Sequence, residues 1–138
     1  MAETRVALIT GANRGIGLEI ARQLGRLGVI SVLGSRDVAK GQSAAEKLRS
    51  EGIDPPVVRL DVRDAASAAA AVAEVERLFG RLDILVNNAG VLEDGPGTGT
   101  TISDVPVERV AATFDTNLLG PLRLLQAAVP LMRRHGYG

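Results

Sequence analysis

The chain of 138 residues contains no cysteine, and only 2% of its residues are aromatic. Without cysteine it can form neither a disulfide framework nor a thiolate metal site, which fits a reducing compartment, and we predict a cytoplasmic location. Its aromatic residues are Phe79, Phe114 and Tyr137. The core must therefore be aliphatic, which favours buried strands of valine, leucine and isoleucine.

The sequence also lacks an excess of charge of either sign, because 16 basic and 16 acidic side chains cancel. We therefore expect neither a nucleic acid nor an anionic membrane as the main partner, but a small molecule or another protein. No run reaches the roughly 18 apolar residues of a membrane span, and the first apolar segment is too short for a signal peptide, so we predict a soluble protein. The length suits one domain, residues 1–138.

Short apolar runs alternate with longer helical patterns. The runs are continuous, as is typical of strands covered on both faces, and occupy residues 6–9, 30–34, 57–60 and 84–87. Helical patterns occupy residues 16–27, 40–51 and 64–79, and each is followed by a glycine. This order predicts an α/β fold with a parallel sheet and right-handed crossovers.

The last third of the chain predicts a loop and then a long helix. Residues 91–104 are rich in glycine, threonine and aspartate, which indicates a mobile surface loop. Pro106 suits a first helical turn, and residues 107–132 carry a broad apolar face. Pro121 and Pro130 interrupt that pattern, so a kink or two successive helices remain alternatives to one helix.

A glycine-rich turn, TGANRGIG at residues 10–17, separates the first strand from the first helix. A pyrophosphate needs close approach to the backbone and unpaired amides at a helix start, which Gly11, Gly15 and Gly17 would permit. We expect Thr10 and Asn13 to hold the loop through side-chain hydrogen bonds to its backbone. The alternative is an ordinary strand-to-helix connection in which glycine only relieves steric strain.

Two further motifs follow the third and fourth predicted strands. Asp61-Val62 lies at a carboxyl end, where ligands gather in open α/β sheets, and the Asp61 carboxylate could accept a hydrogen bond from an exocyclic amine. Its alternative role is capping a helix or loop. Asn87-Asn88-Ala89-Gly90 could by itself be only a turn that ends a strand, because asparagine and glycine favour turns whatever the function.

Together with Asn117, these motifs resemble in order and spacing the N-terminal half of a short-chain dehydrogenase/reductase. Residues 34–42 most resemble NADPH-dependent carbonyl reductases. The resemblance implies a Rossmann-type doubly wound parallel sheet, truncated before its later strands. It also implies reversible hydride transfer between a nicotinamide and a small carbonyl or secondary alcohol.

The resemblance further implies a role for each matching residue. The glycine loop, including Ile16, would bind the cofactor phosphates, and Asp61 and Val62 would contact the adenine. Asn87, Ala89 and Gly90 would close the pocket near the ribose and nicotinamide. Asn117 would help to position a water and a lysine for proton relay, although a local hydrogen bond within a helix is its alternative role.

Charge near the second strand predicts the cofactor. A carboxylate at the end of the second strand would bind the ribose hydroxyls of NAD and repel the additional phosphate of NADP. Ser35 occupies that place, and the guanidinium groups of Arg36 and Arg14 suit phosphate oxygens. We predict NADP(H) in preference to NAD(H). Two alternatives remain: the arginines are only solvated, or a shifted register lets Asp37 favour NAD.

The family's remaining catalytic groups, a serine and a Tyr-x-x-x-Lys pair, have no counterpart here. Tyr137 is followed only by Gly138, and His135 is interpreted as an exposed cation at a helix end without a metal cluster. We therefore predict that the 138 residues alone are inactive. The chain is either the cofactor-binding half of an oxidoreductase or a non-catalytic nucleotide-binding or dimerising module.

Truncation would leave one sheet edge and the apolar face of residues 118–132 without cover. We therefore predict a homo-oligomer that associates through residues 107–132.

Overall fold

The computed structural model describes residues 3–92 and 99–138. Its strands are β1 (Val6–Ile9), β2 (Ile30–Ser35), β3 (Val57–Arg59) and β4 (Ile84–Val86). All pair in parallel, in the order β3-β2-β1-β4, with Val6 beside Ile30 and Ala7 beside Ile84. The predicted parallel α/β sheet is confirmed, and each strand lies within one residue of its predicted bounds.

Helices follow each strand of the sheet. They are α1 (Gly15–Arg26), α2 (Val38–Arg49), α3 (Ala65–Phe79), α4 (Val107–Phe114) and α5 (Gly120–His135). The helix α2 begins two residues before its predicted start because the side chain of Asp37 accepts a hydrogen bond from the Lys40 amide at 3.1 Å. Within the described ranges no helix combines the length and apolarity needed to span a membrane.

Two aliphatic cores lie on opposite faces of the sheet. On one face, Ile9 and Leu33 pack with buried residues of α1 and α2. On the other, Leu8 and Val32 pack with α3 and α5. All four residues of β1 are buried, as expected of a strand covered on both sides. The sheet is therefore the middle layer of three.

Residues 107–132 do not form one uninterrupted α-helix, and the alternative of two successive helices is the correct one. A π-helical turn, Asp115–Leu119, separates α4 from α5, whereas Pro130 lies inside α5 without ending it. Pro121 explains the position of this turn. Proline cannot donate to the carbonyl four residues earlier, here Asn117, and its ring would clash with that carbonyl in a regular helix. Of the predicted loop, residues 93–98 lie outside the described residues.

A buried carboxylate ties β1 to β4 at the end of the sheet opposite the glycine loop. Asp83 accepts a hydrogen bond from the Val6 amide at 2.8 Å, and the guanidinium of Arg81 donates to both of its carboxylate oxygens. Burial would raise the pKa of Asp83, but these hydrogen bonds outweigh it and hold the pKa below its ordinary value. The two strands are therefore anchored at their amino ends by an ionised group.

Candidate functional site

A cleft of about 380 Å³ lies at the carboxyl ends of the strands. It brings together the glycine loop, the segment after β3 and the segment after β4. Its lining residues are Gly11, Asn13, Arg14, Gly15, Ile16, Arg36, Leu60, Asp61, Val62, Arg63, Asn88, Ala89, Gly90, Val91 and Thr116. Three motifs that are far apart in sequence therefore meet at one edge of the sheet.

The glycine loop presents open backbone to this cleft. Gly15 adopts a φ of 58°, which disfavours other residues, and a side chain added there would meet no atom within 4 Å. Arg14 precedes α1 without a side-chain cap, whereas Asp37 and Asp64 cap α2 and α3. The first amides of α1 are thus left without a side-chain acceptor, beside an open space that suits an anion.

Hydrogen bonds from behind the cleft hold the loop in place. Thr10 Oγ1 accepts from the amides of Asn88 at 3.0 Å and Ala89 at 2.9 Å. The Asn88 side-chain amide donates to the carbonyls of Thr10 at 3.0 Å and Gly11 at 3.1 Å. Gly17 is buried beneath this contact, because a Cβ there would lie 2.5 Å from Asn88 Nδ2. Thr10 and Gly17 therefore support the loop and do not line the cleft.

From the sequence we predicted that Thr10 and Asn13 hold the loop. The structure assigns that work to Thr10 and Asn88, and among the described hydrogen bonds none involves the Asn13 side chain. Asn13 instead lines the cleft. In the sequence the only signal for Asn88 is its position after the fourth predicted strand. The pairing of β4 with β1, which brings Asn88 to the glycine loop, is known only from the structure.

A second cleft, of about 540 Å³, adjoins the first and shares Asn13, Arg14 and Arg36 with it. Its other lining residues are Ser35, Asp37, Ala39, Lys40, Ser43, Ala44 and Lys47. The whole lining of this second cleft contains four cationic side chains, Arg14, Arg36, Lys40 and Lys47, of which the two arginines were predicted from the sequence. The second cleft therefore carries a local excess of positive charge in a chain whose net charge is zero.

Two other polar residues of this second cleft, Ser35 and Asp37, already have hydrogen-bond partners. Asp37 uses its carboxylate to cap α2, and its main-chain oxygen accepts a hydrogen bond from Ser35 Oγ at 2.7 Å. Ser35 is only 1% exposed. Ser35 therefore shapes the entry to α2, and the carboxylate of Asp37 is directed to the helix amide of Lys40.

Asp61 contributes an ionised carboxylate to the first cleft. Burial acts to raise its pKa, but hydrogen bonds from the side chain and amide of Arg63, with the nearby charge of Arg36, hold the pKa below its ordinary value. Asp64, not Asp61, caps α3, whereas Asp61 caps the preceding loop by accepting from the Arg63 amide at 3.0 Å. The neighbouring Val62 is buried and forms an apolar wall of the cleft.

Asn117 lies in the π-helical turn and is bound to the segment after β4. Its Oδ1 accepts from the Val91 amide at 2.8 Å, and its Nδ2 donates to the Val91 carbonyl at 2.7 Å. Gly90 is adjacent, since a Cβ there would lie 3.4 Å from Asn117 Oδ1. Asn117 thus makes a long-range contact at the rim of the cleft, where Val91 and Thr116 form part of the lining.

Asn87, His135 and Tyr137 lie outside the first cleft. Asn87 lines a third cleft, of about 940 Å³, beside Leu125 and Val129 at the β4 edge of the sheet. His135 ends α5, and its Nε2 lies 2.8 Å from the carbonyl oxygen of Gly80. Tyr137 is covered by Arg5, whose Cζ lies 4.4 Å from the centre of the tyrosine ring. None of the three belongs to the lining of the first cleft.

Comparison with known proteins gives a consistent family. The family model described as short chain dehydrogenase matches residues 5–138. Human carbonyl reductase (NADPH) 3 is 39% identical over 137 residues, covering 96% of this chain and 47% of its own. The 3-oxoacyl-(acyl-carrier-protein) reductase FabG of Staphylococcus aureus strain Mu50 is 36% identical over 141 residues. The match covers 100% of this chain and 54% of the reductase. The chain thus spans about half the length of the curated relatives it matches.

Solved structures agree with this grouping. A metagenomic short-chain oxidoreductase in complex with NADP has a TM-score of 0.81 at 38% identity, with 97% of this chain and 59% of that chain covered. An actinorhodin polyketide ketoreductase variant with NADPH has a TM-score of 0.90 at 34% identity, with coverages of 100% and 52%. The predicted Rossmann-like α/β fold is confirmed. This chain belongs to the short-chain dehydrogenase family, whose members are oxidoreductases.

Proposed function

We propose that this chain is the cofactor-binding part of an NADP(H)-dependent oxidoreductase that interconverts a carbonyl and a secondary alcohol. One observation carries the proposal: the cleft beside the uncapped start of α1 opens into a second cleft with four cations. A dinucleotide with an additional phosphate on one ribose has a matching distribution of charge. When bound, its nicotinamide would accept or supply the hydride.

The described residues fit the parts of such a cofactor. The amides that follow Gly15 would receive the pyrophosphate, because they lack a side-chain cap and nothing occupies the space within 4 Å of that glycine. Asp61 would accept a hydrogen bond from the adenine amine, and Val62 would contact the ring. Ala89 and Gly90 would border the second ribose and the nicotinamide, toward Asn117.

Charge supports NADP(H) over NAD(H). The second cleft places Arg14, Arg36, Lys40 and Lys47 around a space that could hold a phosphate. The Asp37 carboxylate would repel a phosphate there. It accepts a hydrogen bond from the Lys40 amide, however, and the positive end of the α2 dipole compensates part of its charge. The relatives named for NADPH or solved with NADP point the same way.

Calorimetric titration tests the proposal. We expect NADPH to bind about ten- to a hundredfold more tightly than NADH, which corresponds to about 1.4–2.7 kcal/mol from phosphate contacts. The fragments 2′,5′-ADP and 5′-AMP should show the same order, because they differ only in the phosphate assigned to the second cleft. Equal affinities within each pair would contradict the phosphate assignment. Absence of binding by all four compounds to folded protein would overturn the proposal itself.

Catalysis needs a proton donor, which we infer is not among these 138 residues. The sequence contains one tyrosine, Tyr137, and no Tyr-x-x-x-Lys pair. The competing hypothesis is a nucleotide-binding or dimerising module without turnover, and both hypotheses expect these residues alone to bind cofactor without reducing a ketone or aldehyde. The native gene product distinguishes them, when its C-terminus is sequenced and its oxidation of NADPH with simple carbonyl compounds is measured. The cytoplasmic location stays a prediction.

We also propose that two copies associate through the helical region 107–132. Phe114, Leu118, Leu122 and Leu125 are each 45–58% exposed on this region, which is unusual for large apolar side chains so close together. Analytical ultracentrifugation should show a dimer that Leu122→Asp converts to monomer. The control is Leu27→Asp, at a leucine that is 79% exposed at the end of α1. A wild-type monomer at high concentration would exclude this interface.

A further inference from the structure

We propose that Arg123 is the positioning residue that maintains the π-helical turn and thereby holds Asn117 at the rim of the cleft. Arg123 lies in α5, and its side chain is 21% exposed. Its Nη1 donates to the carbonyl oxygens of Val62 at 3.1 Å and Asp115 at 3.2 Å. Its Nη2 donates to Asp115 Oδ1 at 2.6 Å. One guanidinium therefore connects two segments that border the cleft.

The π-helical turn needs such a donor because its own hydrogen bonding is unusual. In a regular α-helix the carbonyl of Asp115 would accept from the amide four residues later. Here it accepts from the amide of Gly120, five residues later. Arg123 adds a second, charge-assisted donor to the same carbonyl and also neutralises the Asp115 carboxylate. These bonds favour the wide turn over a regular helical turn, in which the carbonyl would have a different position.

The width of this turn sets the direction of Asn117. Successive residues of an α-helix are rotated by about 100°, so a turn with one residue more or fewer redirects every side chain that precedes it relative to α5. Both polar atoms of the Asn117 side chain now bond to Val91. A rotation of that size would break this pair of bonds. Arg123 thus acts on Asn117 through the main chain of Asp115.

The bond to Val62 gives the turn a fixed support. Gly120, directly after the turn, packs so closely on Val62 that a Cβ at Gly120 would lie 3.0 Å from Val62 Cγ2. Arg123 holds the carbonyl of the same valine. Only one part of this inference rests on the proposed function, namely that Asn117 lies beside the nicotinamide of a bound cofactor. The geometric claim, that Arg123 secures the contact between Asn117 and Val91, holds without nucleotide.

Native-state hydrogen exchange of the Val91 amide, measured without nucleotide, tests this claim. We expect Arg123→Met, which keeps an unbranched apolar stem and removes the guanidinium donors, to accelerate exchange at Val91 and Gly120 at least tenfold. Arg123→Lys should restore much of the protection, because an ammonium can still bond to Asp115. The reference is the Leu33 amide, which donates to the Pro56 carbonyl at 2.8 Å inside the core and should be unaffected by a local change.

The matched control is Arg134→Met, which removes another α5 arginine, paired with Glu76 at 2.6 Å and remote from the turn. It should leave the exchange of Val91 unchanged. If Arg123→Met does not fold, Asp115→Asn replaces it, and exchange at Val91 should still rise several-fold. Exchange at Val91 within twofold of wild type in the folded variant overturns the inference, as does an equal acceleration at Leu33. Failure of wild-type protein to bind nucleotide would instead overturn the proposed function alone.

Discussion

Arg36→Asp is expected to lower the affinity for NADPH about a hundredfold and to leave the affinity for NADH unchanged or higher. Arg36 borders both clefts, so a phosphate in the second cleft would lose a guanidinium contact and gain a repulsive charge. A loss of about 2.7 kcal/mol corresponds to this factor and lies within the range of charge-assisted hydrogen bonds. The new carboxylate could also accept the ribose hydroxyls of NAD. Calorimetric titration with both nucleotides measures the two effects.

The control for this substitution is Arg77→Asp, which makes the same change of net charge at an exposed arginine of α3 outside both clefts. It should leave both affinities within a factor of two. The ratio of NADPH affinity to NADH affinity should also depend less on salt concentration in Arg36→Asp than in the wild type. The reason is that fewer exposed cations contact the phosphate. An unchanged ratio of NADPH to NADH affinity in Arg36→Asp would remove Arg36 from the phosphate site and leave Arg14, Lys40 and Lys47.

Gly17→Ala is expected to lower the free energy of unfolding by about 2–4 kcal/mol and to abolish detectable nucleotide binding. The added Cβ would lie 2.5 Å from Asn88 Nδ2 and 2.8 Å from the Gly11 carbonyl oxygen. The side-chain amide of Asn88 must then move, and its bonds to Thr10 and Gly11 are lost. Without this clash, replacing a helical glycine by alanine should raise the free energy of unfolding by about 1 kcal/mol. A decrease in that free energy would therefore support the clash. Urea denaturation and titration with NADPH measure the two losses.

Two further glycine variants separate stability from binding. Gly15→Ala and Gly28→Ala both place alanine at a positive φ, 58° and 80°, with no atom within 4 Å of the added Cβ. Each should cost about 1–2 kcal/mol of stability. Only Gly15→Ala should weaken nucleotide binding, because only Gly15 borders the cleft. A more stable Gly17→Ala that still binds NADPH would show that Asn88 does not hold the loop.

Strands were predicted well from the sequence, because their apolar pattern involves only neighbouring residues. Continuous apolar runs predicted the strands, because a parallel strand buried on both faces needs apolar side chains at successive positions. The start of α2 was misplaced by two residues, because Asp37 was considered only as a possible cofactor ligand and not as a cap. A capping aspartate and a ligand aspartate look the same in sequence.

The site was predictable in part because its motifs follow strands. Carboxyl ends of parallel strands meet at one edge, so residues after β1, β3 and β4 could be assigned to a common cleft before the strand order was known. Asn88 and the cations of α2 were missed. Their roles depend on which strand neighbours which and on which face of α2 points toward the second cleft. Asn87 and Asn88 are adjacent in sequence, yet they face different clefts.

The amino-acid sequence alone determined the fold class, the family resemblance and the glycine turn, since apolar periodicity and the steric freedom of glycine act over a few neighbouring residues. Only the tertiary structure decided that Asn88 holds the turn, that Arg14, Arg36, Lys40 and Lys47 share one cleft, and that Arg123 reaches both Val62 and Asp115. These contacts join residues that are distant in sequence. They arise from strand order and from a π-helical turn, and neither leaves a periodic signal in the chain.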